Sequence, residues 1–197
     1  MEVRLRENDQ VLARFANGLG ALGEGRARKV MARALNRAGN PTLTKVRREL
    51  VRSTSAPMAV VRSQVVAQRA WGGDESGSGK LKYTIMATGS ALPLRFFTRA
   101  EFKFGVRAKV WGRFQRFEGA FMRGGRWPDR VDLTKGGMRG NVFVRTSAAR
   151  LPIKTVWGPA LPKELVEDRI VDVFDTANAR LGDDISHELD RELSRLG

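Results

Sequence analysis

Cysteine is absent from the 197 residues, and histidine occurs once, at position 187. The first absence excludes disulfides, thiolate nucleophiles and cysteine metal sites. A lone His187 cannot build a zinc centre or a catalytic relay by itself, and it is read as a solvent-facing helix residue. Long hydrophobic runs are also missing. No stretch approaches the ~18 apolar residues that span a bilayer, and the opening MEVRLREND lacks the apolar centre of a signal peptide. The expectation is a soluble protein made in a cytoplasm, with no membrane partner, no metal and no cofactor. The usual tools of an enzyme are absent too, so none is expected.

What the chain has in quantity is positive charge, a formal net of +15. It is unevenly placed. Residues 158–197 hold ten acidic and five basic side chains, a net of −5, which leaves +20 on the other 157 residues. A basic body with an acidic tail suggests two kinds of neighbour, one a polyanion such as nucleic acid and one the basic face of another protomer. With 42% hydrophobic and 29% charged residues, a globular chain is favoured over a disordered one. Its length suits one domain, 1–197.

Within that domain three stretches differ in pattern. Residues 1–70 read as a strand and basic helices. MEVRLREN alternates Val3 and Leu5 with charged neighbours, and Asn8 or Asp9 can cap a helix through Leu19. A clearer helix follows, with Ala27, Val30, Met31, Ala34, Leu35 and Ala38 on one face. Gly39-Asn40-Pro41 is expected to kink or break it before Leu43, Val46 and Leu50 resume the pattern. MAVVRSQVVAQRAW, from Met58, fits helix or strand, with helix preferred. Residues 80–157 read as a β-rich core. LKYTIMAT, SALPLRFF, EFKFGVRAKVW, RFQRFEGAFM, NVFVRT and RLPIKTVW are its strand candidates, with a turn at Gly112-Arg113. Residues 158–197 read as an acidic helical segment in which Val166, Ile170, Val173, Ala177, Leu181, Ile185, Leu189 and Leu193 recur every three or four residues. A continuous helix there would be roughly 50 Å long at ~1.5 Å per residue; Gly182-Asp183-Asp184 offers a place to split it. The fold class is α+β: N-terminal helices, a central mainly antiparallel sheet or sandwich, and a long C-terminal helix.

Four constellations invite a chemical reading. WGGDESGSGK, residues 71–80, is not a phosphate loop, because Asp74 stands where the motif needs glycine and Leu81 where it needs Ser or Thr. In residues 94–130, Phe96, Phe97, Phe102, Phe104, Trp111, Phe114, Phe117, Phe121 and Trp127 are interleaved with arginines and lysines. Such a stretch could stack bases and neutralise phosphates. The period-2 pattern, however, puts the phenylalanines on one face and the cations on the other, as in a half-buried sheet, so core packing is the preferred reading. Lys29, Arg33 and Arg37 recur at i+4 on one helix face and are the candidate DNA-facing residues; a plain solvated face fits them equally well. Glu164, Glu167, Asp168, Asp172 and Asp175 suit the positive end of a helix dipole, or an acidic face between subunits.

The stretch GNVFVRTSAARLPIKTVWGPALPKEL resembles the C-terminal signature of phage minor tail protein Z, a tail-completion family. The matching residues follow an F-x-R, R-L-P-I, G-P-x-x-P arrangement: Phe143, Arg145, Arg150, Leu151, Pro152, Ile153, Gly158, Pro159 and Pro162. Ala160 stands where serine is commoner. Ala-Leu-Asn-Arg-Ala at 34–38, Gly105–Val110 and Gly119–Phe121 also look like parts of that family. The resemblance implies a virion structural protein, located in the tail or neck and assembled in the host cytoplasm. It would finish the head-proximal end of the tail and support head–tail joining. It also implies a homo-oligomeric ring, six-fold favoured, beside tail terminator, tail tube or head–tail connector proteins, with possible non-specific contact with phage DNA. A basic body and an acidic tail could meet head to tail between identical subunits and close such a ring. On that reading Arg145, Arg150, Trp157, Pro159, Glu167, Asp168, Asp172 and Asp175 are candidate subunit-interface residues. The alternative is a sequence-independent nucleic-acid-binding protein.

Overall fold

The computed structural model describes residues 2–4, 23–73, 79–131, 140–149 and 151–195. They form an α+β chain with a long N-terminal helix, small antiparallel sheets and a C-terminal helical segment. The expected helix over 9–19 lies outside the described residues. No helix among the described residues is long and apolar enough to cross a membrane.

The chain divides into two compact units. The first comprises Met1–Arg48, Val65–Thr88 and Leu165–Gly197; the second comprises Glu49–Gln64 and Gly89–Glu164.

In the first unit, helix α1 (Glu24–Thr54, its last residues belonging to the second unit) carries Val30, Met31, Ala34, Leu35, Ala38 and Val46 on its buried face. It is not broken at Pro41. Proline removes a single backbone donor, and the helix continues through it; in the same turns Thr42 Oγ1 donates to the Ala38 carbonyl at 2.7 Å and Thr44 Oγ1 to that of Asn40 at 3.2 Å. Gly39 adds a tertiary reason. A Cβ there would lie 2.5 Å from the Tyr83 ring, so the missing side chain lets a buried aromatic lie flat on the helix. Tyr83 Oη then donates to Asn40 Oδ1 at 3.2 Å. A three-stranded antiparallel sheet has the order β1 (Glu2–Arg4), β3 (Thr84–Ala87), β2 (Val65–Gln68). The segment from Met58 is therefore both of its options in turn: helix α2 over Met58–Gln64, which belongs to the second unit, then strand β2.

The C-terminal segment is helical as α4 (Asp168–Asn178) and α5 (Leu181–Leu193), preceded by the single turn α3 (Leu161–Glu164) of the second unit. Its interruption falls at Ala179-Arg180, ahead of Gly182. Asp183 and Asp184 lie inside the first turn of α5 rather than capping it. Ile170, Phe174, Leu181, Ile185 and Leu189 are buried.

The second unit holds small antiparallel sheets: β4 (Arg99–Phe102), β5 (Gly105–Val110) and β6 (Arg113–Glu118) in that order; the pair β7 (Gly124–Gly125) and β8 (Arg130–Val131); and the pair β9 (Phe143–Arg145) and β10 (Ile153–Thr155). SALPLRFF is not a strand. Leu94–Phe96 form one 3-10 turn, set between Pro93, which bridges Trp157, and the edge strand β4.

Candidate functional site

Two turns decide what the β4–β5–β6 sheet shows to its surroundings. Phe102 pairs directly with Gly105, so the chain reverses over Lys103 and Phe104. Directly paired residues share a face; the reversal therefore places even-numbered Phe102 with odd-numbered Gly105, Arg107 and Lys109. The next reversal is over Trp111 and Gly112, since Val110 pairs with Arg113. Both turn residues have positive φ, 50° and 75°, the requirement of a two-residue hairpin of the I′ type. This turn lies one residue earlier than the expected Gly112-Arg113. The resulting register sets Phe114 directly opposite Lys109, and Arg116 directly opposite Arg107.

The consequence corrects the expected separation of aromatics from cations. Val106, Ala108 and Val110 are the buried side of β5. The other face carries Phe102, Phe104, Arg107, Lys109, Phe114 and Arg116, all exposed. Phe102 and Phe104 are stacked with ring centres 5.3 Å apart. The Arg107 guanidinium lies over Phe114 at 4.4 Å and that of Arg116 over Phe104 at 5.1 Å. Exposure of 38–51% for these three phenylalanines sets them apart from core residues. Core packing holds instead for Phe97, 2% exposed.

The tip of the β5–β6 hairpin is fastened from several sides. Trp111 N–H donates to the Thr54 carbonyl at 3.1 Å, Gly112 N–H to Ser55 Oγ at 3.2 Å, and Trp111 Nε1 to Glu164 Oε1 at 2.8 Å. Under the sheet Arg130 pairs with Glu101 at 3.2 Å, the latter's side chain 3% exposed. Arg99 reaches the Gly140 carbonyl, and burial lowers its pKa from the ordinary arginine value.

The RLPIKTVWGPALP stretch forms a pinned corner. β10 pairs with β9, Val156 N–H donates to the Val142 carbonyl, and Gly158 N–H and the Pro159 carbonyl exchange bonds with the backbone of Leu92 at 2.7 and 2.8 Å. A Cβ on Gly158 would meet the Phe97 ring at 3.1 Å, so the glycine permits this close approach. Pro159 is buried. Arg145 is exposed with its guanidinium 5.2 Å from the Phe121 ring centre, and Leu151 and Trp157 are 67% and 51% exposed. Arg150 lies outside the described residues.

Comparison with protein-family models, with curated proteins and with solved structures finds no match.

The remaining candidates lie in the first unit. Lys29, Arg33 and Arg37 share an exposed face of α1, but two of them have carboxylate partners. Arg33 meets Glu188 at 3.5 Å and Glu192 at 2.5 Å; Arg37 meets Asp184 at 3.3 Å and Glu188 at 3.1 Å. Tracking a phosphate backbone would require breaking these pairs. The acidic end of the chain thus neutralises the basic helix of the same molecule, through residues of α5 rather than of α4. Glu167, Asp168, Asp172 and Asp175 are exposed. Asp168, Asp172 and Asp175 fall on one side of α4, away from buried Ile170 and Phe174. An open cleft of about 340 Å³ beside α1 is lined by Arg37, Lys45, Arg180, Asp183 and Asp184 among others, a mixture of charges with no converging acid–base pair. His187 is exposed on α5. Among the described residues no three His, Asp or Glu side chains cluster as a metal site.

Proposed function

We propose that this chain is a structural protein of a tailed-phage virion, a tail-completion or neck component that acts at the head-proximal end of the tail. It works by docking and not by chemistry: copies assemble in a ring, six-fold favoured, and support the joining of tail and head beside tail terminator, tail tube or connector proteins. The observation that carries this reading is the segment with the family resemblance. Its prolines and glycine make a backbone corner held by hydrogen bonds to Leu92, while Leu151 and Trp157 stand exposed along it. Exposed large apolar side chains on a fixed backbone are the usual make-up of an interface centre.

Interface candidates on this reading are Arg145, Trp157 and the neighbouring Leu151, with the acidic face of Asp168, Asp172 and Asp175 as a second surface. Immunogold electron microscopy of purified particles tests it. Label is expected at the head–tail junction; particles that carry the chain nowhere would overturn the reading.

A further inference from the structure

The outer face of the β4–β5–β6 sheet contributes none of the proposed interface residues, and core packing does not explain it. Phe102, Phe104 and Phe114 are partly open to solvent. Arg107 and Arg116 stand directly opposite each other on adjacent strands, an arrangement of like charges that disfavours the sheet. No carboxylate pairs with Arg107, Lys109 or Arg116 among the described residues. Each arginine rests on a phenyl ring instead. Lys109 also lines an open cleft of about 510 Å³ with Arg52, Ser55 and Thr98.

The surrounding unit supplies a field of the same sign. Glu49–Gln64 and Gly89–Glu164 together contain eighteen basic and six acidic residues, a net of +12, and the other unit keeps only +3 of the total of +15. The long-range attraction for a polyanion therefore centres on the unit that carries the exposed rings, and not on the Lys29/Arg33/Arg37 helix.

We infer that this face binds single-stranded nucleic acid without sequence preference, its bases stacking on Phe102, Phe104 and Phe114 and its phosphates meeting Arg107, Lys109 and Arg116. Both halves of the ligand find a counterpart. A cation resting on an exposed ring is weakly held, so the guanidinium can leave for a phosphate, where charge-assisted hydrogen bonds are stronger, and a base can take its place on the ring. The anion also relieves the Arg107–Arg116 repulsion. An acidic protein surface would satisfy the charges, but it does not carry a regular series of planar groups alternating with anions, as a single strand does. A duplex keeps its bases stacked inside and would engage the cations alone. The inference stands apart from the virion reading, and either can fail without the other.

Fluorescence anisotropy with a labelled oligothymidylate, and with a duplex of equal length, tests it. Wild type is expected to prefer the single strand. The F102A/F104A/F114A variant, whose charge is unchanged, should lose roughly tenfold or more in affinity, with the salt slope kept. R107Q/R116Q should instead flatten the plot of log affinity against log salt by about 0.7 per arginine removed. Thermal melting checks that each variant is folded; should the triple variant melt early, F114A alone and R107Q/R116Q carry the decision. Equal binding to duplex and single strand, or affinity indifferent to the phenylalanines, overturns the inference. It is also overturned if wild type ignores the oligonucleotide while the same substitutions dissolve an oligomer, which would make this a face for a second copy.

Discussion

Gly105 follows the Lys103–Phe104 reversal with a φ of 144°, in a region that only glycine enters without strain. The position a Cβ would take there is already filled by the Phe117 carbonyl of β6. Gly105→Ala should therefore cost about 2 kcal/mol or more, read as a lower midpoint in urea denaturation. A neutral result would mean that the β4–β5 turn is not formed as described. Tyr83 gives a second residue-scale prediction. Burial pushes its phenol above the ordinary value of 10.0, against the opposing pull of Arg69 and Arg47. The folded chain then holds this proton more tightly than the unfolded one. The contribution is full below about pH 10 and is lost as pH rises through the alkaline range. Tyr83→Phe should be less stable near neutrality by about 1 kcal/mol, through loss of the Asn40 bond. The gap to wild type should shrink as pH climbs, in paired melts at several pH values. A gap that does not change with pH would contradict this.

At the scale of elements, the pairing of α1 with α5 is the clearest energetic statement. Glu188 is 4% exposed and faces both Arg33 and Arg37. Removing both arginines strands a buried carboxylate. The cost for a fully buried pair, about 3–5 kcal/mol, is reduced because the two arginine side chains are 43% and 47% exposed. R33A/R37A should lose about 2 kcal/mol, and adding Glu188→Gln should recover part of it. Purely additive losses in this cycle, by chemical denaturation, would show that the three side chains are not coupled.

The elements also show where a sequence is readable. The buried face of α1 and the Val106, Ala108, Val110 side of β5 follow directly from period, because one side of each meets a core. The edges of β5 do not. Phe104 and Trp111 occupy turn positions that local preference assigns to glycine or asparagine, and Trp111 is held at positive φ by bonds to Thr54 and Glu164 that are remote in sequence. Missing the first reversal puts Phe102 on the wrong face, whereas misplacing the second turn by one residue moves the pairing of β6 by two, which keeps its faces but changes every cross-strand partner. The exposed aromatic face was hidden for that reason, although every residue of it stood in the aromatic and basic stretch. Pro41 is a parallel case, since the Tyr83 ring that packs on the helix at Gly39, two residues before it, is a matter of tertiary packing.

At the scale of the whole molecule, the α+β class and the order of helix, sheets and acidic helical segment could be read from pattern and composition. The division of charge could not. Consecutive residues give a basic body and an acidic tail, whereas the compact units are built from separated stretches and hold +3 and +12. The acidic segment is used in part within its own unit, through Asp184, Glu188 and Glu192. Asp168, Asp172 and Asp175 remain exposed, and we propose them as an acidic surface for a neighbouring subunit. In light scattering of the assembled protein, D168K/D172K/D175K should reduce the oligomer while leaving the melting temperature within a few degrees, as for other exposed substitutions. An undiminished oligomer would remove this face from the interface.

We propose that the protein completes a phage tail for joining to a head. Electron microscopy of particles made when its gene is deleted from the phage that encodes it tests this most directly. Filled heads and separate tails are expected, with joined infectious particles restored by supplying the protein in trans. Normal yields of joined, infectious particles from the deletion would contradict it.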